Sequence, residues 1–238
     1  MISSLGSATG SSALLPIAPR LLRAEQLIEL QSRRSRVIKR SGDIVFSLLV
    51  LSLGSPVFLA LALLVKFSSR GPVFYVQQRV GRDYKSFGCI KFRTMRRDAD
   101  RILSRLLSES PDLQEEFRND FKLRNDPRIT RLGRFLRRSS LDELPQFLNV
   151  FRGDMSVVGP RPIVRQELPR YGDQMEEVLA VRPGLTGLWQ VSGRNNLSYD
   201  ERVALDLRYA RHRSFWMDLT IIIKTVGVIL DPRDRGAY

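Results

Sequence analysis

Two adjacent carboxylates, Asp142 and Glu143, lie in the stretch Ser140-Leu141-Asp142-Glu143-Leu144-Pro145-Gln146. Ser140 and Glu143 have the spacing of a capping box. Alternatively, Pro145 opens the helix as its first residue. Either reading puts both acids near a helix N-terminus, where the dipole favours an anion. An ionised Asp142 there can attack a phosphoryl group or hold Mg²⁺ through oxygen. The plainer alternative is a pair of acids that only stabilises a helix start. A second candidate is Gly159-Pro160-Arg161-Pro162. Proline on each side stiffens the backbone around the guanidinium, which can then grip a diphosphate at a smaller ordering cost. Otherwise it is a turn with a solvated arginine. A third is the cluster Arg131, Arg134, Arg137 and Arg138 just ahead of the acids, either a phosphate-binding group or a solvated charged face.

Other chemistries are poorly served. The chain has one cysteine, Cys89, and one histidine, His212. That excludes an internal disulfide framework and a Cys-rich zinc site, and argues against His–metal clusters and a Ser-His-Asp triad. Catalysis would rest on carboxylates, arginine, lysine and hydroxyls. Of the 39 basic residues 33 are arginine, against 25 acidic ones, for a net charge of +14. Such a surface seeks nucleic acid, anionic lipid or phosphorylated substrates, although base composition of the genome also raises arginine. At 238 residues, 43% of them hydrophobic, the chain can bury a full core.

The elements that must position these groups begin with 22 uncharged residues, Ile44 to Val65. As one straight helix they reach about 33 Å, enough to cross a bilayer core of about 30 Å. Ser55-Pro56 interrupts them, with Gly54 adjacent, and proline predicts a kink or break. The hydroxyls of Ser52 and Ser55 are placed to satisfy freed backbone groups. Lys39 and Arg40 precede the segment and Lys66 and Arg70 follow it. Basic flanks at both ends suit a segment that dips into the membrane and returns to the cytoplasmic side. A kinked single span, a buried soluble helix and a secretory signal behind Arg33-Arg34 are the alternatives. Residues 1–38 read as a flexible basic arm, with a short helix possible over 14–31. Residues 68–238 form the remaining domain. There Gly71 to Val76 predicts a strand, with a turn at 81–83 and a partner strand over 87–92. Helical spacing covers 97–123, broken at Pro111, then 129–138, 164–181 and 199–211. The stretches 153–162 and 183–195 read as loops. The apolar segment 215–230 is a core helix or an interfacial one.

These motifs together resemble the bacterial polyprenyl-phosphate glycosyl-1-phosphate transferases, the monotopic phosphoglycosyl transferases. The likeness covers about residues 39–238. It runs through Lys39-Arg40 with Asp43, Ser55-Pro56, Gly71-Pro72-Val73-Phe74, Lys91-Phe92-Arg93-Thr94-Met95 and Asp126-Pro127-Arg128-Ile129-Thr130. It continues in Ser140 to Gln146, Gly153-Asp154-Met155-Ser156, Gly159 to Pro162, Pro183 to Gly187 and Gly193-Arg194. The resemblance implies a mostly helical α+β protein: a re-entrant membrane helix at 39–67, then a small cytoplasmic catalytic domain with interfacial amphipathic helices at the inner membrane. It implies transfer of a sugar-1-phosphate from a UDP-sugar to undecaprenyl phosphate, releasing UMP, as the first membrane step of exopolysaccharide or O-antigen synthesis. Asp142 is then the nucleophile and an Mg²⁺ ligand, and Glu143 assists it. Pro160, Arg161 and Pro162 bind nucleotide and phosphate, and Arg137 binds the polyprenyl phosphate. Ser55 and Pro56 make the membrane helix turn back. The C-terminal part, through Ser214-Phe215-Trp216 and Gly236-Ala237-Tyr238, is similar to hexose-1-phosphate members, so glucose or galactose is the expected sugar. Expected partners are the two substrates and membrane lipids, without nucleic acid, and a second copy of the chain is a further candidate. The rival readings are a membrane-anchored nucleic-acid-binding protein and a non-catalytic scaffold.

Overall fold

The structure, a computed structural model, describes residues 33–120, 123, 125–193 and 196–230. Most of the expected N-terminal arm, the helix considered for 14–31, Arg194 and the C-terminal Gly236-Ala237-Tyr238 lie outside the described residues.

The apolar segment forms two helices, α1 (Arg33–Leu53) and α2 (Ser55–Ser68). They meet at Gly54 with a bend of 63°. Neither alone is long and apolar enough to cross a membrane; the bent pair passes by length and composition only. Pro56 sits in the first turn of α2, where its missing N–H is harmless. The carbonyl that a normal residue at 56 would bond is that of Ser52, and the Ser55 hydroxyl donates to it at 2.8 Å. The expected repair of the break by a serine is therefore present at Ser55. The outer faces stay apolar and exposed, including Leu53, Leu59, Leu64 and Phe67.

The residues ahead of the apolar run do more than carry charge. Arg40 donates to the carbonyls of Val150 and Phe151 at 2.6 and 2.8 Å, and Lys39 pairs with Asp218 at 2.6 Å. Asp43, buried, accepts the Val157 N–H at 3.0 Å. At the other end of the pair, Arg93 donates to the carbonyls of Val65, Ser69 and Pro72 and so satisfies the end of α2. The bent pair is stitched to the domain at both ends.

The expected hairpin is present. Strands β1 (Phe74–Val80) and β2 (Ser86–Phe92) pair antiparallel, Phe74 opposite Phe92 and Val80 opposite Ser86. Asp83 and Tyr84 turn the chain at φ +55° and +60°. Helices α3 (Ala99–Glu109) and α4 (Pro111–Asp120) follow, split at Pro111 as its ring requires. The basic helix α5 (Arg131–Arg138) is capped by Thr130, whose hydroxyl accepts the Gly133 N–H. A 3₁₀ turn (Leu141–Gln146) runs into α6 (Phe147–Arg152).

Both stretches read as loops contain regular structure. β3 (Ser156–Val158) and β4 (Gly184–Thr186) pair parallel, and α8 (Leu188–Ser192) follows β4. Three-residue strands leave too short an alternation for pattern to reveal. Between them, 165–174 is a 3₁₀ segment and only α7 (Met175–Leu179) is α-helical, so the single helix expected over 164–181 does not form. Pro169 and the bend at Gly172 (φ +52°, ψ −137°) break it. Helices α9 (Tyr199–His212) and α10 (Phe215–Leu230) close the domain, the first with a Ser198/Glu201 capping box. α10 buries Ile221 and Val228, as the core-helix reading expects, while Trp216, Ile223 and Val226 stay exposed.

Candidate active site

The acidic pair is held by its neighbours on both sides. Asn149, in α6, replaces a missing strand: its side chain accepts the Ile90 N–H at 3.0 Å and donates to the Gly88 carbonyl at 2.8 Å. This fixes α6, and the 3₁₀ turn that feeds it, against β2. On the other side α5 packs Leu136 with Phe92 of β2 and Leu61 and Val65 of α2. Both acids do lie in the first turn of a helix, the 3₁₀ turn with Ser140 at its cap position, but neither the capping box nor a start at Pro145 is observed. Ser140 lies in the left-handed region at φ +56° and makes no side-chain cap, and Pro145 sits inside the 3₁₀ turn rather than at the head of a helix. A sharp reversal after α5 sets the two carboxylates, not a capping box.

The two acids differ although they are adjacent. Glu143 pairs with Lys91 of β2 at 2.5 Å. Burial alone would push its carboxyl up, but the Lys91 ammonium and hydrogen bond, with Arg161 and Arg79 beyond, outweigh it and hold the pKa below the usual value. Asp142 is 7% exposed. Burial first, then the neighbouring Glu143 charge, raise its pKa to about 6, and Lys91 and Arg137 only partly offset this. Arg137 donates from Nε to the Thr94 hydroxyl at 3.0 Å, which turns it towards Asp142. The rest of the basic cluster does not join it: Arg131, Arg134 and Arg138 face outward.

The second motif arrives from the opposite side. Val80 N–H donates to the Ile163 carbonyl at 2.8 Å, joining the end of β1 to the residue after Pro162. Gly184 N–H donates to the Pro160 carbonyl at 2.7 Å. A Cβ on Gly184 would collide with the backbone of Gly159, so glycine is required for this close approach. Arg161, Glu143, Lys91, Arg79, Gln146 and Gln190 thus line one cleft. Arg161 is held by Glu167 at 3.1 Å and lies 5.9 Å from the Trp189 ring centre. Glu167, almost fully buried, also accepts the Val164 N–H at 2.8 Å and stands 3.8 Å from Arg79. Arg79 donates to the Pro162 carbonyl at 2.9 Å, and burial and Arg161 lower its pKa to about 10. Behind the loop, Asp206 accepts the Tyr171 hydroxyl at 3.1 Å; burial raises its pKa to about 7.

The structure therefore brings Glu143, Arg161 and Pro162 to one cleft, with Asp142 and Arg137 beside it and Pro160 buried underneath. Ser55 and Pro56 stand apart, at the bend of the helix pair. Sequence reasoning passed over Arg79, Glu167 and Asp206, and gave Lys91 no role. Arg79 lies past the end of the expected strand and Lys91 inside its expected partner, and no spacing marks either as part of a site. Glu167 and Asp206 look like any helical acid until burial is known.

As to metal, Asp142 and Glu143 offer oxygen ligands, but among the described residues no group of three or more acidic, histidine or cysteine side chains is placed to hold an ion. Mg²⁺ is habitually bound by one or two carboxylates together with substrate phosphates. The donor set fits an ion that enters on a diphosphate.

A profile of the family described as bacterial sugar transferase matches residues 34–232. The chain is 50% identical over 209 residues to the undecaprenyl-phosphate galactose phosphotransferase of Salmonella typhimurium, covering 88% of this chain and 43% of that one. It is 50% identical over 200 residues to the exopolysaccharide production protein ExoY of Rhizobium meliloti, covering 84% and 88%. The UDP-glucose:undecaprenyl-phosphate glucose-1-phosphate transferase of Escherichia coli is 40% identical over 201 residues, covering 81% and 40%. The chain thus spans under half the length of the Salmonella and Escherichia relatives and most of the Rhizobium one. With a match across nearly every described element, from α1 to α10, this chain belongs to the bacterial sugar transferase family.

Proposed function

We propose that the protein transfers a hexose-1-phosphate, galactose or glucose, from a UDP-sugar to undecaprenyl phosphate at the cytoplasmic face of the inner membrane, releasing UMP. The observation that carries this reading is a buried carboxylate of raised pKa beside a cleft that gathers Arg79, Lys91 and Arg161. The names of the relatives supply the substrates.

Asp142, when ionised, attacks the β-phosphorus of the UDP-sugar. A carboxylate–phosphorus bond forms, the bond to the bridging oxygen breaks, and UMP leaves with that oxygen. The terminal phosphate oxygen of undecaprenyl phosphate then attacks the same phosphorus. A new diphosphate forms and the Asp142 carboxylate is released. Arg161, braced by Glu167, holds the nucleotide's phosphates, and Lys91 sits where charge develops on the leaving group. Arg137 receives the acceptor phosphate on the far side of Asp142. Mg²⁺ carried in on the substrate's diphosphate, beside Asp142, would offset the repulsion between the two phosphates. The bent pair α1–α2 lies in the cytoplasmic leaflet and turns back at Ser55-Pro56, leaving both flanks on one side. A buried soluble helix is a poor account of it, because its outer residues are exposed and apolar.

The test is UMP release by the purified protein with a panel of UDP-sugars and undecaprenyl phosphate in neutral detergent. UMP formation that requires both substrates, with trapped phosphosugar on the protein, supports the reading. No UMP with any sugar, from protein that remains folded, overturns it.

A further inference from the structure

Helix α5 has two faces of different character. Leu132, Gly133 and Leu136 turn inward: Leu136 and Leu132 pack with Leu61 and Val65 of α2, and Gly133 sits against the backbone of Thr94, where any Cβ would collide. Arg131, Arg134, Phe135 and Arg138, at spacings of three and four, share the outward face. Phe135 is 56% exposed between the arginines. Among the described residues no carboxylate pairs with Arg131, Arg134 or Arg138, whereas Arg128 and Arg137 in the same region are both engaged. The helix to which α5 is bolted exposes Leu59, Leu63, Leu64 and Phe67. An apolar ring set among unpaired guanidiniums, next to an apolar helix, has the make-up of a surface that lies at a lipid headgroup layer: the ring enters the acyl boundary and the arginines reach phosphates.

We propose that the outward face of α5 is a docking surface for anionic phospholipid headgroups of the membrane, separate from the site that takes the polyprenyl phosphate. Arg137 belongs to that site and points the other way. A bilayer is favoured over nucleic acid as occupant because the adjoining face of α2 is hydrophobic and exposed, which suits acyl chains rather than a charged strand. Three unpaired arginines at a headgroup layer select phosphatidylglycerol over zwitterionic lipid through charge alone. The proposal rests on the membrane placement given above and adds a lipid preference to it.

The test uses the full chain carrying Cys89→Ser and Phe135→Cys, with bimane attached to the introduced thiol. It is reconstituted in bilayers of phosphatidylcholine with about 30 mol% phosphatidylglycerol, roughly the charge density of an anionic leaflet. Brominated tails are placed on one lipid species at a time and quenching is compared at equal bromolipid mole fraction. Brominated phosphatidylglycerol should quench at least about two-fold more than brominated phosphatidylcholine, and the excess should vanish in Arg131→Gln/Arg134→Gln/Arg138→Gln and in high salt. Equal quenching by the two lipids in the arginine-bearing protein overturns the proposal. So does no quenching by either, which would place the face in water or against another macromolecule. UMP release measured on the same proteoliposomes reports separately on the transferase reading, so a failed lipid preference beside intact turnover is recognisable.

Discussion

The acidic turn at 141–146 and the Pro160-Arg161-Pro162 loop face each other across the cleft and are built on opposite plans. Arg161 is held in place: a buried carboxylate grips its guanidinium, two backbone hydrogen bonds anchor the flanking residues, and an aromatic ring lies alongside. Among the described residues Asp142 has no cation bonded to it; the Lys91 ammonium is spent on Glu143. A group that binds is served by preorganisation, because an arginine already fixed loses little entropy on meeting phosphate. A group that attacks is served by the reverse, because a carboxylate tied into a strong ion pair is a poorer nucleophile. On the proposed mechanism Arg161 is the group that binds and Asp142 the one that attacks, and Lys91 holds the neighbouring Glu143 low while Asp142 stays raised.

The sharpest way to break the contrast is at Asp142 itself. Asp142→Asn should lower turnover on the order of 10³-fold or more and leave no trapped phosphosugar. The same change should stabilise the fold. The folded-state pKa, about 6, lies above the unfolded value, so the ionised carboxylate weakens the native state above that pH and the penalty fades as pH falls. Asn carries no charge, and at a pH of about 7.5 the variant should unfold at higher denaturant by roughly 1–3 kcal/mol. A mutant that keeps near-normal rates, or that is less stable than the parent, contradicts the assignment.

Arg161→Ala comes next. It removes a charge-assisted contact of about 1.5–3 kcal/mol, so kcat/KM for the UDP-sugar should fall about 10- to 100-fold, while KM for the acceptor stays near its parent value in steady-state kinetics.

Glu143→Gln sharpens the pH behaviour. On the proposed mechanism Asp142 attacks in its ionised form, so the parent rate should fall as pH drops through about 6. Removing Glu143 takes away a charge that raises the Asp142 pKa and releases Lys91, which lowers it. Both effects have one sign, and the acid limb of kcat/KM should move to lower pH even though the rate is reduced. An acid limb that stays put or moves up would show that the acids do not share charge.

The smallest effect is expected at Glu167→Gln. The amide keeps the shape and one acceptor but loses the charge that braces Arg161 and Arg79. KM for the UDP-sugar should rise about three- to ten-fold with kcat little changed, and Glu167→Ala should be worse than Gln. Equal losses for Gln and Ala would mean that Glu167 serves the fold alone.

Much of this contrast was legible in the residues. Proline and glycine announced the bend at Ser55-Pro56 and the rigid loop around Arg161 because their effect is local. The hairpin was visible from two short strand-like runs around the turn at 81–83, and α9 from helical spacing. What stayed hidden was set by distance along the chain. Lys91 meets Glu143 across 52 positions, and Arg79 reaches Pro162 across 83; no spacing rule spans that. Ser140 shows the opposite failure. Its position three residues before Glu143 suggested a side-chain cap, but Ser140 takes up a left-handed turn directly after α5 and its hydroxyl caps nothing.

Asp43, Arg40 and Lys39 precede the apolar run, yet their partners are Val157, Val150, Phe151 and Asp218, deep in the chain. The bent pair α1–α2 is therefore not a tether that can be cut away without disturbing the domain. Trimming the chain after Ser68 would leave a strand N–H and two helix-end carbonyls without their partners, strip Asp218 of its lysine and leave it the Tyr209 hydroxyl, and bare the Leu136 side of α5. On the proposed membrane placement, solubilising this protein calls for changing the outward side chains of α1 and α2 and leaving their backbone in place, since the exposed apolar side and the side that closes the domain belong to the same helices.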